Sequence, residues 1–205
     1  MAGNRTLVCI NVFLDFPAAR YYQPWLDSQN TTRRKDDREN APNALTHEGI
    51  RGHNPRDKTL TAFAQLATLR LDVKRAMISL IDADRQYILA EATKSLSLYS
   101  CTTDQPEDEM WLGNTTIFND DAMCHFAFSS TYTAREESGE TYTVDCLVVP
   151  DCREDPRFTD KEYVKGEPGV RFYAGTPIIT KAGHHIGVYA VSGTGPTQYH
   201  HKCLY

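Results

Sequence analysis

Two strand–turn–strand units constrain this chain more than any other feature. "RAMISLIDADRQYILAEAT" holds two strand-like runs, 76–81 and 86–92, on either side of the turn-forming "DADR". "VRFYAGTPIIT" and "HIGVYAVSG" repeat the arrangement around the tight turn "KAGH". A hairpin pairs its strands antiparallel, so a chain built from two of them is committed to an antiparallel sheet. Ahead of the first, "DKTLTAFAQLATLRL" sets Leu60, Phe63, Ala67 and Leu69 near helical spacing behind Asp57, a candidate N-cap. The order helix, hairpin, long excursion, strand, loop, hairpin predicts an α+β domain rather than a parallel doubly wound one.

The remaining segments are less regular. Residues 94–121 are polar except around Met110, Trp111 and Leu112, and "NDDAMCHFAFSS" reads as a short helix capped by Asp120 or Asp121. A strand over 142–149 stops at Pro150, which has no N–H for a central ladder. "DCREDPRFTDKEYVKGEPG" reads as a loop. Residues 28–57 are charged, punctuated by proline and glycine, and offer little to bury. The predicted organisation is an N-terminal extension over 1–56, largely linker or disordered, one domain over 57–193, and a short polar tail over 194–205. A chain of 205 residues suits one core.

A net charge of −5 disfavours nucleic acid and anionic membranes as partners. The basic cluster "RRKDDRE" alternates with acids, as a solvated linker does. No run reaches membrane-spanning length; the apolar stretch from Leu7 to Phe16, with small residues at Ala18 and Ala19, loosely imitates a secretion signal but is interrupted by Asn11 and Asp15. Sequons stand at Asn4, Asn30 and Asn114, but a cytoplasmic location is the expectation. Seven histidines and six cysteines form no CxxC or HExxH spacing, so no metal site is predicted.

"DCLVVPDC" sets two cysteines around buried-strand residues, each preceded by an acid. Alternation sends Cys146 and Val148 to one sheet face and Leu147 and Val149 to the other, which makes Cys146 most simply a small buried hydrophobe. A reactive thiol needs a lowered pKa and access, and the acids at Asp145, Asp151, Glu154 and Asp155 push the other way.

Taken together, "AMISLIDADRQYILAEAT", "WLG", "MCHFAFSS", "VVPDCREDPRF", "VRFYAGTPI" and "GHHIGVYAVSG" resemble a GAF domain over about 57–193, most nearly those at the N-termini of fungal hybrid histidine kinases. The resemblance implies a sensory or regulatory module. Its fold would be an antiparallel sheet of five or six strands with helices on one side and a small-molecule pocket under loops on the other. By position it assigns Trp111, His125, Phe126, Asp151, Arg157, Phe158, Phe172 and Tyr189 to segments that line or cover that pocket. No cofactor is specified, and none is expected.

Three alternatives stay open. Some GAF domains reduce free methionine-R-sulfoxide through pocket cysteines, here Cys124 and Cys152, although the cysteine signature ahead of that enzyme's "VVP" strand is not reproduced. "CH" at 124–125 is similar to the attachment point of bilin-binding members, whose other signatures are not evident. A structural dimerisation module is the third. By itself the chain is expected to be non-enzymatic, with no phosphoacceptor helix or ATP-binding module after "VYAVSG". The terminal helix of such domains would also be missing, which predicts a fragment or a truncated gene model and self-association, or docking of another signalling domain, through the uncovered face.

Overall fold

A computed structural model of the protein describes residues 57–135, 139–166 and 169–195. The expected N-terminal extension, and all but the first two residues of the expected tail, lie outside them. Helix α1 (Lys58–Leu71) starts where the sequence places it: the Asp57 carboxylate accepts from the N–H groups of Thr59 and Leu60 at 2.8 and 3.0 Å. It satisfies two of the orphan donors of the first turn. The helix ends at Asp72, which takes a left-handed φ of 53°.

Strands β1 (Arg75–Ile81) and β2 (Arg85–Thr93) form the first hairpin. Asp82 organises its turn, its Oδ1 accepting from the N–H groups of Asp84 and Arg85 at 2.8 Å each. Strands β3 (Thr116–Phe118), β4 (Thr131–Arg135), β5 (Thr141–Asp145) and β6 (Leu147–Val149) follow. Next come the one-turn helix α2 (Glu162–Lys165) and the second hairpin, β7 (Phe172–Ile179) with β8 (His185–Gly193). The main sheet is six-stranded and antiparallel in the order β3-β2-β1-β8-β7-β6, and β4 and β5 make a separate two-stranded sheet. This is the expected α+β architecture.

Sheet alternation sorts the core into two layers. On one face α1 buries Leu60 and Ala64 against Ala76, Ile78, Ala90, Ala92, Phe172 and Val191. The other face carries Ile81, Leu147, Val149, Tyr173, Val188 and Ala190, covered by residues from 123–127 and 152–170. In the middle the strands run close: a Cβ on Gly187 would stand 2.0 Å from the backbone carbonyl of Ser79.

Three local expectations are corrected. The segment over 119–129 is not an acid-capped helix but two 3-10 turns, Asn119–Asp121 and Cys124–Ser129, with no side-chain cap. The single strand over 142–149 is broken at Cys146, whose N–H donates to Ser130 O at 3.1 Å. Residues before the break pair in the small sheet and those after it in the main one. Finally, the 151–171 loop contains α2 and contributes buried Cys152, Phe158 and Val164 to the core.

Candidate functional site

The sheet face opposite α1 has a polar floor. Ser79 Oγ donates to Val188 O at 3.3 Å, and the Gln86 amide nitrogen donates to Ser79 Oγ at 3.1 Å and to Cys124 Sγ at 3.0 Å. Tyr173 Oη donates to the same sulfur at 3.0 Å. Strands β1, β2, β7 and β8 thus join the turn that carries Cys124 in one hydrogen-bonded row. Gln86 is only 1% exposed, and its Oε1 has no partner among the described residues. One end of this buried amide is therefore unsatisfied, a costly arrangement for a native core.

Aromatic side chains close over the floor. Phe126 meets the buried ring of Phe158 edge to face at 5.3 Å, and Trp111 meets Tyr163 at 6.0 Å in the same manner. The hydroxyl of Tyr163 and Nδ1 of His125 are also buried with no partner among the described residues. Arg153 pairs with Asp151 and Arg157 with Asp155, each through two nitrogens, and the Arg157 guanidinium lies 5.5 and 5.0 Å from the ring centres of Phe126 and Phe158. Arg171 is buried and donates to the carbonyls of Val164 and Gly166, tying the loop to β7.

Trp111 is held by a separate device. The Glu91 carboxylate, fully buried in β2, accepts from the N–H groups of Trp111 and Leu112 at 2.8 and 2.7 Å and also from that of Gly113. Its charge is balanced by Arg75, whose guanidinium lies 5.7 Å from the Trp111 ring. Three backbone donors and one cation make this buried carboxylate a clamp on "WLG".

Electrostatically the floor is neutral near pH 7. Burial pushes the Cys124 thiol up, and the hydrogen bonds from Tyr173 and Gln86 only partly oppose it. Burial, then Asp151 and Asp155, pushes Cys152 up to about 12. Burial likewise raises both tyrosine hydroxyls, Tyr163 and Tyr173. His125 is pulled below its ordinary value, mainly by burial, against the opposing pull of Asp120. Cys124 and Cys152 are 3% and 0% exposed, so neither meets the access and thiolate character that sulfoxide reduction asks of its nucleophile.

Of the residues assigned from sequence, Trp111, His125, Phe126 and Phe158 gather at this face, while Asp151 and Arg157 form ion pairs within its covering loop. Phe172 and Tyr189 are corrected. Phe172 packs under α1 with Leu60 and Ala64, and Tyr189 Oη donates to Phe63 O at 2.7 Å, so both belong to the helix side. Their strand neighbours Tyr173, Val188 and Ala190 face the site instead, since one residue along a strand exchanges faces. Ser79, Gln86, Glu91 and Tyr163 were not anticipated. The visible signal was polar residues inside otherwise apolar hairpin strands. Among the described residues no group of three or more His, Cys, Asp or Glu side chains could hold a metal ion, and no helix is long and apolar enough to cross a membrane.

A stretch of 67 residues is 48% identical to a cyclic di-GMP phosphodiesterase of Pseudomonas aeruginosa, covering 31% of this chain and 11% of that protein. The chain thus spans about a tenth of that relative's length. Among solved structures, the GAF domain of an Acinetobacter phosphoenolpyruvate-protein phosphotransferase is 13% identical, with a TM-score of 0.43 and coverage of 71% of this chain and 70% of that one. The phycocyanobilin-bound GAF domain of a cyanobacterial phytochrome is 14% identical, with a TM-score of 0.41 and coverage of 68% and 70%. The GAF domain family model matches residues 55–204, well over half of the sequence, and the chain therefore belongs to the GAF domain family.

Proposed function

We propose that this GAF domain is a cytoplasmic sensory or regulatory module of a histidine-kinase-type phosphorelay protein, close to those of fungal hybrid kinases. It has no catalytic role of its own, and its loop-covered sheet face receives a small molecule. The observation that carries the ligand reading is the buried Gln86 amide with one end unpaired, together with the unpaired hydroxyl of Tyr163, which packs against the same core layer as Cys124, the partner of Gln86. Buried polar groups without partners mark places where something else supplies the hydrogen bond. Leu66 and Leu69, exposed on the outer side of α1, support docking of a further signalling domain on the opposite side of the sheet.

Mass spectrometry of the purified full chain tests the ligand reading. Native spectra should show a mass that denaturing spectra lose, and Gln86→Leu should remove it. A chain with the same mass under both conditions would sink the proposal.

A further inference from the structure

We infer that the loop-covered face takes an uncharged small molecule, with a hydrogen-bonding group for Gln86 and an apolar or aromatic body, and selects against the anionic counterpart of the same shape. The inference deepens the ligand reading above and rests on it.

Two independent features of the geometry support it. The first is the floor, where Ser79, Gln86, Cys124 and Tyr173 offer hydroxyl, amide and thiol groups but no formal charge. The neutral state of the thiol and phenol follows from their burial, which disfavours their ionised forms. The second is the commitment of the surrounding cations. Arg153 is taken by Asp151, Arg157 by Asp155, Arg171 by backbone carbonyls, and Lys161 Nζ donates to Asp120 O. An anion entering here would have to break one of those attachments or lie uncompensated in a low-dielectric core, which disfavours it. A neutral amide-like group meets no such penalty. Its N–H can donate to the free Oε1 of Gln86, which an ionised carboxylate, an acceptor only, cannot do. The shell of Phe126, Phe158, Tyr163 and Trp111 suits an apolar or aromatic body.

The test uses isosteric pairs that differ in charge: acetamide against acetate, benzamide against benzoate, and indole-3-acetamide against indole-3-acetate. Each is titrated at pH 7 into the full chain and followed by NMR chemical-shift changes, with Gln86→Leu and Tyr163→Phe as variants. Within at least one pair the amide should bind at least tenfold more tightly than the carboxylate, and Gln86→Leu should abolish that preference. Tyr163→Phe, which keeps the ring, should weaken the amide while leaving the fold intact. Equal or tighter carboxylate binding would overturn the charge selection and leave the site itself standing. If no pair binds, the inference fails, while the ligand reading stands or falls on the native mass spectrum. Amide binding that survives Gln86→Leu would remove Gln86 from the account and overturn the inference.

Discussion

Gln86 is the residue on which the account turns. A glutamine one residue into a strand whose next four residues are Tyr, Ile, Leu and Ala is visible in the sequence, but its significance depends on which face it takes and what lies across from it. It donates to Ser79 across its own hairpin and to Cys124, to which Tyr173 also donates; Cys124 and Tyr173 come from distant parts of the chain, so the row has no sequence signature. The cysteines tell a similar story. "DCLVVPDC" suggested either chemistry or burial, and the structure gives burial, with Cys146 pushed up to about 11 chiefly by desolvation. Alkylation of the native protein should therefore separate the described thiols: half-buried Cys101 reacts first, and Cys124, Cys146 and Cys152 react only on unfolding. Rapid native labelling of Cys124 or Cys152, together with turnover of methionine-R-sulfoxide that Cys124→Ser abolishes, would reinstate the reductase alternative.

At the level of elements, the two hairpins and α1 were legible because each carries its own signals: Asp57 at the helix start, "DADR" and "KAGH" at the turns, and alternation between them. Strand β3 and the β4–β5 hairpin were not. The first is three residues long, and the second is a polar pair with exposed and half-buried residues alternating along β5. Phe172 and Tyr189 were placed on the wrong side for the same reason that makes strands informative: a period of two resolves faces only when the register is known. The Glu91 clamp is where an element meets the site, because it fixes the loop that presents Trp111. Glu91→Gln keeps the shape but replaces a charged acceptor of three N–H groups with a neutral amide and strips Arg75 of its partner. We expect a loss of about 3 kcal/mol, in the range for breaking a buried ion pair, with increased hydrogen exchange at Trp111, Leu112 and Gly113. Unchanged stability and exchange would show that the loop is held by something else.

Across the whole molecule, one sheet divides a structural layer under α1 from a loop-covered layer with unspent hydrogen-bonding capacity. That division also shapes the pH dependence of stability. Buried thiols whose folded pKa lies above their ordinary value near 9.0 stabilise fully below that value, and the contribution is lost as pH rises through the folded pKa. His125, held low mainly by burial, acts in the opposite sense: its contribution is complete above its ordinary 6.5 and is lost as pH falls. Asp151 and Asp155, held low by Arg153 and Arg157, add a further loss below their ordinary 3.8. Melting temperature should therefore be highest between about pH 6.5 and 9, with His125→Gln flattening the first step of the acid limb. A profile still rising at pH 10 would contradict the buried, neutral floor. The most direct test of the ligand site is a crystal structure of the full chain at a resolution that separates water from small molecules. The account predicts continuous non-water density linking the free end of the Gln86 amide to the Tyr163 hydroxyl, and a single water at Gln86, or a shell collapsed onto the amide, would contradict it.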